Sequence, residues 1–438
     1  MPEETFALPE TDVRSLPGSD DIFREVLPNG MIVLVRENFA NPSVLLQGTL
    51  EVGALDTASE KLGLANLVAL GLMRGTARRS FSEIFHAIES IGARLGISAS
   101  VHATQFRGKA LAEDMALLVD LLADVLRNPV FPQTEMEILR MQHLTGLTLR
   151  DEDTGSRAQM AFDELAYPDH PYGMPSDGYR ETVESLSMAD IREFYKRYYA
   201  PEGMILAVVG AVHAREVFDL VSHAFSDWDA KRESAVIQVG PASAPDHLLR
   251  SDVYLPGKSQ SDLIIGAPGP ARSDSLFQPA VLGNNILGRF GLFGRIGDAV
   301  REEAGLAYYA YSTVSGGSGP GPWQVAAGVN PQGVNHAIEL IQREIARFIS
   351  EPVSEEELLE NKANFIGRMP LQLESNEGVA GAMVHIERHK LGLDYYREYP
   401  AMIAGITAAD ILAAAKKFLH PERLAIGVAG EAIRDPGS

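Results

Sequence analysis

Three stretches of this 438-residue chain carry side chains whose type and spacing could do chemistry. In His385-Ile386-Glu387-Arg388-His389 two imidazoles four residues apart share one helical face, a spacing that suits a shared metal. Glu387 sits two residues from each, about 200° round the helix, and cannot act as base on that face. A core or surface pair is therefore the competing reading. In Arg301-Glu302-Glu303-Ala304-Gly305-Leu306-Ala307-Tyr308, Arg301 and Tyr308 are both donors that could stabilise a developing oxyanion. Gly305 reads as a helix-ending residue, with Arg301 in the last turn and Tyr308 opening a strand. By themselves these residues also fit a dipole-complementing arginine and a half-buried strand aromatic. Gly288-Arg289-Phe290-Gly291-Leu292-Phe293-Gly294 has a G-x-x-G-x-x-G spacing but opens no nucleotide-binding βαβ unit. It reads as a loop or as tight helix packing, with Leu276, Ala280 and Leu287 before it as core.

Composition removes other chemistries. With no cysteine there are no disulfides, thiolate zinc sites, iron–sulfur clusters or thiol nucleophiles. A net charge of −21 repels phosphate backbones and anionic lipid, so no nucleic-acid or membrane-surface partner is expected. No apolar run approaches the roughly 20 residues of a membrane span. Met1–Asp21 is acidic and lacks an apolar centre, so it is neither signal nor transit peptide. The expected location is cytoplasmic, or periplasmic if an upstream leader was removed.

The elements that must position these residues come in two copies. Residues 187–210 and 407–430 align without a gap, and eight of 24 positions are identical, among them Asp190, Lys196, Pro201 and Gly210. Each copy reads as an N-cap (Ser187, Thr407), a helix stopped by proline (Pro201, Pro421), and a short apolar strand. Upstream, Leu117, Leu121 and Val125 form a helical stripe before Pro129 and a second helix. Ile338, Ile341, Ile345 and Phe348 do the same before Pro352 and a helix opened by Ser354 and Glu357, a capping-box spacing. Strands are predicted over 31–36, 44–52, 262–267 and 323–329. The fold class is α+β: two homologous domains, each a mostly antiparallel sheet packed with helices. The expected boundaries are an N-terminal extension 1–22, a first domain 23–228, a linker 229–248 around Gly240–Pro245, and a second domain 249–438.

The stretch Gly63–Thr76 resembles the zinc helix of the M16 (pitrilysin-like) metallopeptidases, G-x-A-H-x-x-E-H-x-x-x-x-G-T. Gly63, Ala65, Gly75 and Thr76 fit the frame. The histidine positions hold Asn66 and Leu70, and the glutamate position holds Ala69. Asparagine is a poor zinc ligand, leucine is none, and alanine cannot take a proton from water. The family's distal glutamate is also missing, because residues 138–150 contain no acid. His170-Pro171-Tyr172-Gly173 is similar to a further family segment, and the Arg301–Tyr308 octet is similar to its R-E-x-x-G-L-x-Y motif.

The resemblance covers about residues 25–433 and implies the M16 (LuxS/metallohydrolase-like) fold, one half of a clamshell. It further implies a non-catalytic, metal-free subunit of an M16B heterodimeric zinc peptidase. In that reading Arg301 and Tyr308 bind substrate and oxyanion in trans, this chain holds no cofactor, and zinc resides in a partner with intact H-x-x-E-H. The substrate would be an unfolded peptide, and the chain alone would form a homodimer if anything. A non-hydrolytic scaffold or peptide-binding protein, similar to respiratory-complex core subunits, is the alternative. A self-sufficient peptidase using His385 and His389 is a third.

Overall fold

The computed structural model describes residues 8–9, 12–233 and 236–431. In the first half β1 (Phe23–Val26), β2 (Ile32–Glu37) and β3 (Ser43–Leu50) lead to α1 (Leu64–Gly71) and α2 (Phe81–Ser90). Next come β4 (Arg94–Ala99), β5 (Thr104–Leu111), α3 (Met115–Arg127), α4 (Gln133–Glu152) and α5 (Thr154–Ala166). Helices α6 (Arg180–Ser185) and α7 (Met188–Tyr198), strand β6 (Ile205–Gly210) and helix α8 (Ala214–Phe225) complete it.

The second half repeats this order from β2 to β6, without counterparts of β1 and α8 among the described residues. It begins with β7 (Leu249–Tyr254), β8 (Ser261–Pro268), α9 (Phe277–Gly288), α10 (Phe290–Gly297), β9 (Ala307–Val314) and β10 (Pro322–Val329). Then follow α11 (Val334–Ser350), α12 (Glu355–Gln372), α13 (Asn376–Arg388), α14 (Tyr395–Gly405), α15 (Ala408–Phe418) and β11 (Ala425–Gly430).

The sheets run β1-β2-β6-β3-β5-β4 and β7-β11-β8-β10-β9. Only β2–β6 and β7–β11 pair in parallel, so the expected α+β class with two mostly antiparallel sheets holds. The repeated caps form as the spacing requires. Ser187 and Thr407 accept from the backbone of Asp190 and Asp410, whose carboxylates bond back. β6 and β11 are buried along their whole length, which is why both read as unbroken apolar runs.

Each sheet packs one face on its own half's helices in a large core. Its other face is covered by a helix from the opposite half. Ala158, Phe162 and Ala166 of α5 lie on Ile264, Ala326 and Ala425 of the second sheet. In return Val379, Met383 and Ile386 of α13 lie on Leu34, Leu45 and Val209 of the first. The approach of α5 is so close that a Cβ on Gly427 would stand 2.1 Å from the Ala158 carbonyl oxygen. The G-x-x-G-x-x-G stretch is not a loop: α9 runs to Gly288 and α10 starts at Phe290. Gly294 has φ +60°, and a Cβ there would stand 2.5 Å from the Ile286 carbonyl oxygen, so the glycines let two helices meet at a sharp corner.

Candidate functional site

Helix α1 carries Asn66, Ala69 and Leu70. Asn66 is half-buried, Ala69 is buried, and Leu70 packs partly against the first core. The residues flanking them have structural work of their own. Gly63 has φ +92°, and a Cβ there would press within 2.8 Å of the Asp177 carbonyl. The Thr76 hydroxyl donates at 2.8 Å to the buried Asp124 carboxylate, which Arg79 pairs at 2.6 Å. Gly63 and Thr76 thus serve the turns into and out of α1 in their own right. Facing α1, helix α4 offers His143, whose Nε2 lies 2.7 Å from the Asp177 carbonyl, and Arg150, which pairs with Asp177 at 2.9 Å. The outer side of α4 exposes Ile138, Met141 and Leu149.

Arg301 and Tyr308 sit in the second half. Arg301 lies in a π-helical turn, Asp298–Glu303, that continues α10, 3.4 Å from the Glu302 carboxylate. Gly305 (φ +63°) ends this helix, and the Leu306 N–H donates to the Val300 carbonyl at 3.0 Å. Tyr308 follows on β9, an edge strand paired only with β10. The register jumps there: Val329 faces Ala307 while Gly328 faces Tyr309. Tyr308 is the extra residue of a β-bulge, a device that re-aims a side chain. It is 73% exposed, which corrects the reading of a half-buried strand aromatic. Helix α1 packs on β4, α4 and α7, and β9 packs on β10, α9 and α10, so the two sets of candidate residues stand on different neighbourhoods of the chain.

His385 and His389 do lie side by side, ring centroids 4.8 Å apart. Burial together with Arg272 and His389 pushes His385 down to about 4, so it is neutral at physiological pH. Among the described residues no group of three or more His, Asp or Glu is placed to hold a metal.

A cleft of about 850 Å³ lies between the halves, where sequence reasoning placed no site. Its first-half wall is Arg150, Gln159, Asp163, Tyr172 and Asp177; its second-half wall is the Ser315–Pro322 turn and Gln324. Gln159 and Gln324 exchange amide hydrogen bonds at 2.7 and 3.1 Å across the seam. Asp163 accepts from Gln159 at 2.8 Å. Burial raises its carboxyl to about 7, against the Gln159 hydrogen bond. His102 bonds the Tyr172 hydroxyl and is pushed down to about 4 by burial and by Arg388. The His170–Gly173 segment supplies Tyr172 to this wall. Asp163 had no local signal, since it is one acid in an ordinary amphipathic helix.

Comparison with known proteins fits this geometry. The two-domain fold is shared with known structures: a crystal structure of a peptidase M16 inactive domain from Pseudomonas fluorescens superposes with TM-score 0.87 over 95% of this chain and 100% of that one, at 22% identity. A protease from Helicobacter pylori gives TM-score 0.87 over 94% and 100%, at 19% identity. In sequence, the insulinase (peptidase family M16) profile matches residues 32–175 and the peptidase M16 inactive-domain profile matches residues 185–365. The chain belongs to the M16 family. Relatives include an uncharacterized zinc protease of Streptomyces coelicolor, 25% identical over 94% of this chain and 90% of that protein, and one of Mycobacterium leprae, 27% identical over 86% and 84%. Subunit 1 of the rat mitochondrial cytochrome b-c1 complex is 26% identical over 64% of this chain and 58% of that protein.

Proposed function

We propose that this chain is the non-catalytic, metal-free subunit of an M16B-type heterodimeric zinc peptidase, built of domains 23–228 and 249–438. The observation that carries this reading is the pairing of Asn66, Ala69 and Leu70 at the ligand positions of α1 with an intact Arg301–Tyr308 octet. A metal-bound water needs nitrogen or carboxylate ligands and a base, and these three side chains offer none. The partner, an M16 homologue with H-x-x-E-H, supplies zinc, water and base. This chain supplies two donors, and the 73% exposure of Tyr308 on a bulged edge strand suits a group that works on a molecule outside its own fold. An unfolded peptide would add along the edge strand β9 by backbone pairing.

The test is reconstitution with an H-x-x-E-H partner. The lone chain is expected to bind no stoichiometric zinc and to cleave nothing. In the complex, Arg301→Ala or Tyr308→Phe should lower kcat by about 10- to 100-fold, the scale of one lost oxyanion donor, with partner zinc unchanged. Full turnover by both variants removes the role.

A second reading rests on the likeness to cytochrome b-c1 subunit 1. In it the chain is a scaffold or peptide-binding protein without hydrolysis. Co-purification of a partner lacking H-x-x-E-H, with no peptidase activity, would favour it.

A further inference from the structure

We infer that the second half holds a binding site for a small organic oxyanion, a carboxylate or phosphate group carried on a compact apolar body, in the cavity between α9, α12 and α14. The cavity is about 270 Å³, and Arg272, Arg368, Gln278 and Tyr395 line it together with Phe277 and Phe365. Two guanidiniums open on it and, among the described residues, neither has a carboxylate within ion-pair distance. In a chain of net charge −21, where most arginines find an acid, that is an unusual pairing.

The donors are also unspent. Arg272 gives one N–H to the Tyr395 hydroxyl at 2.6 Å, but its Nε is buried with no acceptor among the described residues. The Tyr395 hydroxyl accepts a second bond from the Gln278 amide at 2.8 Å, which leaves its own proton to donate. Arg368 stacks on Phe365, 4.1 Å from the ring centroid, and makes no hydrogen bond to any described residue. Arg289 adds to burial in opposing the charge on Arg368, and Arg272 acts on His385 in the same sense. Buried donors without acceptors cost stability, and an incoming oxyanion would satisfy several at once.

Aromatic faces under both guanidiniums hold them flat: Arg272 lies 4.6 Å from the Phe277 centroid. A planar, pre-oriented fork suits an oxyanion better than a point charge would. Phe277, Val281, Phe365 and Met369 form apolar walls, and the space exceeds that of a bare ion, which calls for an organic body. Helices α9 and α12 stand in the second half where α1 and α4 stand in the first. The same pair of helices would thus hold an anion in one half, where the family's catalytic pattern implies a cation in the other.

The test is calorimetric titration of the full chain with benzoate, benzamide and inorganic phosphate. Benzoate should bind saturably at one site, and phosphate about tenfold or more weaker for want of the apolar body. Benzamide, the same shape without charge, should not bind. Arg368→Gln should weaken benzoate by about tenfold or more, and Arg368→Lys should recover part of the loss. No saturable benzoate heat, equal binding of benzamide, phosphate tighter than benzoate, or indifference to Arg368→Gln would each overturn the site. Among the described residues Arg368 has no hydrogen-bond partner, so its variants should melt like the parent. If they do not, benzoate against benzamide on the parent still decides.

Discussion

At the scale of single residues, the exposure of Tyr308 comes from one register shift. The bulge opposite Gly328 and Val329 leaves Tyr308 without a cross-strand partner and turns its ring outward. Asp163 shows the opposite case, a carboxyl drawn inward by its helix. Its folded value, about 7, lies above the ordinary 3.8, so the folded state holds the proton more tightly than the unfolded chain does. Ionising Asp163 therefore costs stability as pH rises from about 4 through 7. We expect Asp163→Asn to match the parent near pH 4 and to exceed it by on the order of 2 kcal/mol at pH 8. Denaturant melts across that range measure it, and parallel curves would show that Asp163 is solvated.

At the scale of elements, caps and close approaches decide where helices start and what they touch. Glu357 closes the capping box of α12 with Ser354 and takes a bidentate pair from Arg295 at 2.8 and 2.7 Å. The Arg295 hydrogen bonds chiefly, helped by Ser354, hold its carboxyl down to about 2. The stabilisation is present above pH 4.5 and is lost as pH falls toward 2. Glu357→Gln should cost about 1 kcal/mol at pH 7 and show less acid sensitivity, read from thermal melts at both ends of that window. Gly427 makes the contact between β11 and α5. Gly427→Ala sets a methyl against the Ala158 carbonyl and the Phe162 nitrogen, 2.1 and 2.5 Å away. The cost should be about 1–3 kcal/mol. Gly381→Ala on α13, where the nearest atom is a Gln47 side-chain nitrogen at 3.5 Å, should be neutral or stabilising and serves as control.

At the scale of the whole molecule, the exchange of α5 and α13 makes each half the lid of the other's sheet. Ion pairs fasten α13 across the seam: Arg24–Glu387 at 2.8 Å, Lys109–Glu377 at 2.8 Å and Arg388–Glu51 at 3.1 Å. A half expressed alone would present its sheet's second face to water, an apolar area too large for a soluble monomer. We expect residues 1–228 and 229–438 to be insoluble separately, to associate when co-expressed, and to melt in one transition when intact. Two soluble, independently melting halves would contradict this. The 850 Å³ cleft exists only because of the same exchange, since α5 brings Asp163 to the Ser315–Pro322 turn.

The amino-acid pattern by itself determined the repeat, the α+β class, the capped helices before Pro201 and Pro421, and the family frame around α1. These depend on neighbours a few residues apart, whose periodicity is written in order along the chain. It also put Asn66, Ala69 and Leu70 where the resemblance sets two histidines and a glutamate, and the weak or absent donor groups there are a property of the side chains. Tertiary structure alone decided which sheet each helix covers, because α5 and α13 are amphipathic in the same way whichever sheet receives them. It alone placed Asp163 and Gln324 around one cavity and Arg272 and Arg368 around another. Asp163 and Gln324 meet only after the chain has crossed between halves, and the burial of such groups is set by what arrives from far along the sequence.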